Sequence, residues 1–174
     1  TIIKLIFSGN LANPYCGAMF NNGGDGNSSP VIINTNFVSN KSLNQAGAIY
    51  NSGSAPGMSK PFITNSIFWN NMAMLDPEIS GSNADATIKN SLFNAANFAD
   101  LLANSGDNPI IDAGGNKFDT DPLFSILPPS GLTLAGLFKV PPISPVINMG
   151  SNTENLYPYD FSASVRITYG TIDI

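Results

Sequence analysis

Three aspartates fall close together in "DAGGNKFDTDP": Asp112, Asp119 and Asp121. Carboxylate oxygens are hard ligands, and calcium takes about six to eight oxygens. This stretch is therefore a candidate calcium site. The alternative is a turn in which Asp side chains bond the nearby backbone, with Pro122 fixing the path of the chain beyond it. A second set, Asp160, Arg166 and Asp173, lies near the C-terminus and holds the single arginine of the chain. A polysaccharide lyase uses such a set, with arginine as base and carboxylates for metal. A bidentate Arg–carboxylate pair that pins the C-terminal region needs the same residues. Sugar rings stack on exposed aromatic side chains, and Trp69, Tyr157 and Tyr159 are the candidates, with Tyr15 apart from them. Trp69 follows Phe68, so strand alternation turns it outward. The alternative for Trp69 is contact with a neighbouring loop such as "MAML" at 72–75.

What is missing narrows the chemistry. The 174 residues contain no histidine, which removes every His-based triad, general base or metal site. The one cysteine, Cys16, cannot make an internal disulfide or a zinc cluster. It reads as a small buried apolar residue. Glycoside hydrolysis needs paired carboxylates at roughly 5–10 Å, and the repeated segments carry Asn where Asp would be wanted. Net charge is −5, so the basic stripe that nucleic-acid binding requires is absent. No apolar run is long enough to span a membrane, and "TIIKLIFSGN" lacks the basic start and apolar core of a signal peptide. Charged residues make up 11% of the chain, against roughly 25% in ordinary soluble domains. Amides and hydroxyls supply the polarity instead, as is common in extracellular β-rich proteins.

The elements that would position these residues are written as a repeat. "GAMFNN" at 17–22 returns as "GAIYNS" at 47–52. Phe7 and Asn10 return as Phe37 and Asn40, then as Phe68 and Asn71, at steps of 30 and 31. "PVIINTNF" returns as "PFITNSIF" and "ATIKNSLF", which aligns Ile32, Ile63 and Ile88, then Asn34, Asn65 and Asn90, then Phe37, Phe68 and Phe93. Each segment is short, β-branched or aromatic, and bounded by Gly, Asn, Ser or Pro, which is the strand signal. A period near 30 residues marks an array whose units cover one another's apolar faces.

The sequence thus predicts an all-β fold, a parallel β-helix of three strands per coil of about 30 residues. Its right-handedness follows from the general crossover rule. Asn34, Asn65 and Asn90 are expected to stack side chain on side chain, because an amide both donates and accepts. Residues 1–93 form the coils. Residues 94–174 form a short helix and an irregular cap folded against the end of the stack. In "NAANFADLLANSG", Asn94 is the expected N-cap and Gly106 the stop, with Ala95, Phe98, Leu101 and Leu102 on one face. Eight of the thirteen prolines lie beyond residue 106, where only short strands such as 164–168 are expected. The first ten residues already sit in the repeat register, so a further coil is expected on Ile3, Leu5 and Phe7. Coil-to-coil stacking through that N-terminal edge is the corresponding expectation.

These residues carry a resemblance. "AGAIYNSG" and "ITNSIFWNN" resemble the right-handed parallel β-helix repeats of bacterial secreted and surface proteins. The series "AGGNKFDTDPLF", "SPVINMG" and "R…IDI" resembles the C-terminal part of the "choice-of-anchor" β-helix proteins, with Asn148 where that pattern has Asp. The resemblance implies export, an extracellular or cell-surface address, and no defined ligand or enzymatic activity. The expected function is a non-catalytic surface segment, an adhesin, stalk or glycan-contacting module, with no cofactor unless calcium binds. The alternatives are the C-terminal part of a secreted polysaccharide lyase or glycoside hydrolase, and a filament component.

Overall fold

The computed structural model describes residues 1–127, 138–160, 163–165 and 170–174. It is mostly strand, with one α-helix among the described residues, and its strand ladders are parallel. The first sheet takes Ile2–Ile3, Val31–Ile33, Phe62–Thr64, Ala86–Lys89 and Ile110–Asp112 in that spatial order. The second takes Ile6–Ser8, Asn36–Val38, Ile67–Trp69, Leu92–Phe93 and Lys117–Phe118. The third takes Met19–Gly23, Ile49–Gly53 and Ile79–Ser82, and Leu11–Ala12 pairs with Lys41–Ser42 in a small fourth sheet. The chain visits the sheets in turn and returns to each after one sequence repeat. Stacking continues past residue 93, since Ile110–Asp112 and Lys117–Phe118 extend the first two sheets.

Left-handed residues end the strands at matching places. Lys4, Asn34, Asn65 and Asn90 follow the first-sheet strands with φ of 61°, 52°, 50° and 45°. Gly9, Ser39 and Asn70 do the same after the second sheet, and Cys16, Ala46 and Asp76 before the third. Asn tolerates this backbone because its short amide bonds locally. The glycine of the repeated hexapeptide answers a different need. A Cβ on Gly17 would run into the Gly47 carbonyl oxygen, and one on Gly47 would meet the Pro77 oxygen at 2.5 Å.

The three larger sheets share one core. Ile32, Ile63, Ile88 and Ile110 from the first sheet meet Phe37, Phe68 and Phe93 from the second and Ile49 and Ile79 from the third. The expected isoleucine and phenylalanine columns are in register, Ile32 with Ile63 and Ile63 with Ile88. Phe7, Phe37, Phe68 and Phe93 stack with centroids 4.9, 4.7 and 4.8 Å apart, and Phe118 adds a fifth ring at 6.0 Å.

Two polar ladders run beside these rings. Asn10 Nδ2 donates to Asn40 Oδ1 at 2.8 Å, and Asn40 Nδ2 donates to Asn71 Oδ1 at 3.0 Å. The backbone N–H groups of Asn10 and Asn40 donate to the same two oxygens. In the second ladder, the Ser66 hydroxyl accepts from Thr35 N, the Ser91 hydroxyl from Ser66 N, and Asn116 Oδ1 from Ser91 N.

The expected ladder of Asn34, Asn65 and Asn90 does not form. Their left-handed backbone occupies the corner, and Asn65 and Asn34 bond the C-terminal segment instead. The residue after each of them, Thr35, Ser66 or Ser91, carries the ladder. The helix also differs from expectation at its ends. It spans Phe98–Ala103, with Asn97 as N-cap accepting from Asp100 N and Asn104 as C-cap. Asn94 is still paired to the preceding repeat through Phe68 O, so it cannot open the helix. Leu101 enters the core, whereas Leu102 is exposed.

Val146 and Met149 pack on Ile67 and Leu92 along the flank of the second sheet, and Leu101 of the helix closes the core. Phe68 has no exposed surface and a ring on each side. Phe68→Ala is expected to lower stability by roughly 3–5 kcal/mol, the cost of an unfilled aromatic cavity. Asn40→Ala, which orphans ladder partners on both sides, is expected to cost about 1–3 kcal/mol. Urea titrations of both variants check these values.

Candidate functional site

The corner column that begins at Lys4 is where the C-terminal segment docks. Asn65 grips Ser151 twice: its Nδ2 donates to the Ser151 carbonyl at 2.9 Å, and its Oδ1 accepts from Ser151 N at 2.7 Å. Asn34 Nδ2 donates to Asn155 Oδ1 at 3.3 Å. Lys89 Nζ pairs with Glu154 Oε1 at 2.7 Å, and this lysine bond holds the Glu154 carboxyl below its ordinary value. The segment is itself braced by the chain terminus, through Gly150 N to Ile172 O and Ile174 N to Val146 O.

Between this segment and the start of the first two sheets lies a cavity of about 410 Å³. Lys4, Asn34 and Asn36 line it from the sheets, and Lys139, Asp160 and Asp173 from the C-terminal segment. Phe138 also lines it and packs edge-to-face on Phe124 at 5.6 Å. The volume falls in the range of small-ligand pockets, roughly 300–1,000 Å³. Among the described residues, neither Lys4 nor Lys139 forms an ion pair. Asn34 is 6% exposed and its Oδ1 is buried without a hydrogen-bond partner. Both carboxylates already order backbone. Asp160 Oδ1 accepts from Ser164 N at 2.8 Å, and Asp173 Oδ1 accepts from Asn148 N at 2.6 Å. The wall thus offers ammonium donors, amide groups and carboxylate acceptors beside apolar surface.

The structure brings together two of the three terminal charged residues singled out by sequence, Asp160 and Asp173. Arg166 lies outside the described residues, as does part of the 164–168 stretch. Trp69 is partly buried against the cluster of Ile67, Leu92, Val146 and Met149, so the C-terminal segment covers part of its surface. Tyr157 and Tyr159 are half exposed, and Tyr159 bridges Val165, which lines the cavity.

The three central aspartates serve separate places. Asp112 Oδ1 accepts from Gly114 N and Asn116 Nδ2, and Asp121 Oδ1 accepts from Leu123 N. Asp119 sits in the left-handed region at φ 46°. Among the described residues, no group of three acidic, histidine or cysteine side chains is placed to hold a metal ion. Burial raises the Cys16 thiol above its ordinary value, and its Sγ donates to Ala48 O.

Lys4, Lys139 and Phe138 carry no sequence signal for this cavity, because residues far apart in the chain meet there only through docking. Asn65→Ala removes both bonds to Ser151. It is expected to raise the rate of limited proteolysis within 138–160 several-fold while leaving the sheets intact. Mass spectrometry of the cleavage products, with circular dichroism of the remaining core, reads this directly.

Compared with family models, curated proteins and solved structures, the chain matches none of them.

Proposed function

We propose that this chain is a right-handed parallel β-helix that acts as a non-catalytic, exported surface module and holds a glycan in the cavity beside Asn34. The β-helix reading rests on the order of the sheets and on the ring and amide columns in register. Export and the cell-surface address rest on the low charge and on the resemblance to choice-of-anchor proteins. The observation that carries glycan binding is the cavity itself. Its wall interleaves amides, ammonium groups and carboxylates with Phe138 and Val140, the mixture that recognises hydroxyls on an apolar ring.

The test is binding to a panel of neutral and acidic oligosaccharides, followed by calorimetry on any that are retained. Asn34→Ala and Lys4→Ala are expected to weaken binding about tenfold or more, which corresponds to about 1.4 kcal/mol. Trp69→Phe is expected to leave it unchanged. Failure to retain any glycan, or equal affinity in all variants, would overturn the reading.

One observation favours a second reading, that of a hydrolase or lyase: Asp160 and Asp173 line the same cavity. Two carboxylates at one site are the minimum for glycoside hydrolysis. Release of reducing or unsaturated ends, abolished by Asp160→Asn or Asp173→Asn, would establish that reading in place of the first.

A further inference from the structure

At the other end of the stack, the third copy of the repeated hexapeptide departs from the first two. Ile79 is the register partner of Ile49, which pairs with Met19, so Glu78 stands where Ala48 and Ala18 stand. Ala48 is fully buried in the core, and Glu78 is 2% exposed. A carboxyl therefore enters a position that is apolar in the repeats before it.

What receives it is the end of the asparagine ladder. The residue three beyond Phe93 is Ala96, where the earlier repeats have Asn40 and Asn71. Asn71 thus lacks the next amide, and its Nδ2 donates to Glu78 Oε2 instead. The other oxygen, Oε1, is buried with no partner. A cavity of about 150 Å³ adjoins this place, lined by Pro77, Glu78, Asn94, Asp100, Leu101 and Asn104. Three of these belong to the helix and its cap, and Leu101 is the residue that seats the helix in the core.

We propose that Glu78 makes this closure responsive to pH, with the protonated carboxyl keeping the helix Phe98–Ala103 seated and the ionised carboxyl releasing it. Among the described residues, no cation pairs with the ionised form, which has the Asn71 amide alone as its donor. Asp100 approaches from the helix and is itself a carboxylate, bonded to Ala96 N and Asn104 Nδ2. Asp76, two residues before Glu78, is held by Gln45 and Ser80. Asn71 and the strand Ile49–Gly53 bring no charge, and among the described residues no lysine or arginine lines the cavity.

The direction of the effect comes from burial, which pushes the Glu78 carboxyl up from 4.5 to about 8 against a smaller lowering by Asn71. The seated form then holds its proton where an opened form has lost it. Closure is strongest below pH 4.5, weakens throughout the range from 4.5 to about 8, and levels off above that.

Hydrogen exchange of the 98–103 amides in the full chain, corrected for intrinsic pH dependence, reads the opening. The opening constant is expected to rise about tenfold per pH unit across that window, while the amides of Phe62–Trp69 change far less. Glu78→Gln keeps the acceptor for Asn71 and does not titrate, so its profile is expected to be flat. A wild-type profile that is flat, or that Glu78→Gln reproduces, overturns the proposal. Should Glu78→Gln fail to fold, carbon NMR of the Glu78 carboxyl in the wild-type chain decides it. A midpoint well above the ordinary carboxylate range supports the device, and one near 4.5 overturns it.

Discussion

No repeat in this chain can satisfy its own backbone. Its strands are two to five residues long, and every ladder bond they make goes to a strand of the repeat before or after. An unpaired buried backbone group costs about as much as a lost hydrogen bond, so the strands exist only in register with their copies. Register then dictates the side chains. Residues a period apart meet face to face, and along the columns that fill the core and build the amide ladder, like meets like. Phenylalanine stacks, asparagine donates upward and accepts from below, and serine hydroxyls receive the amide N–H of the neighbouring repeat.

Because this rule is written in the spacing, much of it is legible in the sequence alone. The isoleucine and phenylalanine columns, and the column of Asn10, Asn40 and Asn71, come from residue type and period. Asn34, Asn65 and Asn90 show where such reading stops. Sequence spacing places residues in columns, but it does not say which of two adjacent polar residues turns inward. That choice lies with the corner. The left-handed position suits Asn, so Asn takes it, and Thr35, Ser66 and Ser91 are left to build the ladder. The 410 Å³ cavity is not legible in the sequence at all. It is made of contacts between residues on the order of 100 positions apart, and nothing in a local period encodes them.

The C-terminal segment works by a different logic from the sheets. It follows no period, and it is held by particular partners: two bonds to Asn65, one to Asn34, one ion pair to Lys89, and the apolar cluster around Ile67 and Leu92. The polar partners stand at or beside the corners of columns whose inward members form the core. One periodic scaffold thus fixes both the interior and the row of attachment points along its flank. The cavity forms where that row reaches Lys4, the lysine that stands where the later repeats have asparagine.

The register has a bearing on how such a chain can change its length. Asn36 and Ile67 are direct partners one period apart. Excising residues 36–66 would therefore join Thr35 to Ile67 with every column still aligned, because each lost side chain is replaced by its own counterpart. Loss of a single residue within a strand would instead break that strand's register with the repeats on either side of it. Whole periods and the loops between strands are free to be gained or lost, while the strands themselves are locked. The number of coils in this architecture therefore changes in whole units, by duplication and deletion, while the loops vary the spacing between strands, as the steps from Ile32 to Ile63 and from Ile63 to Ile88 show.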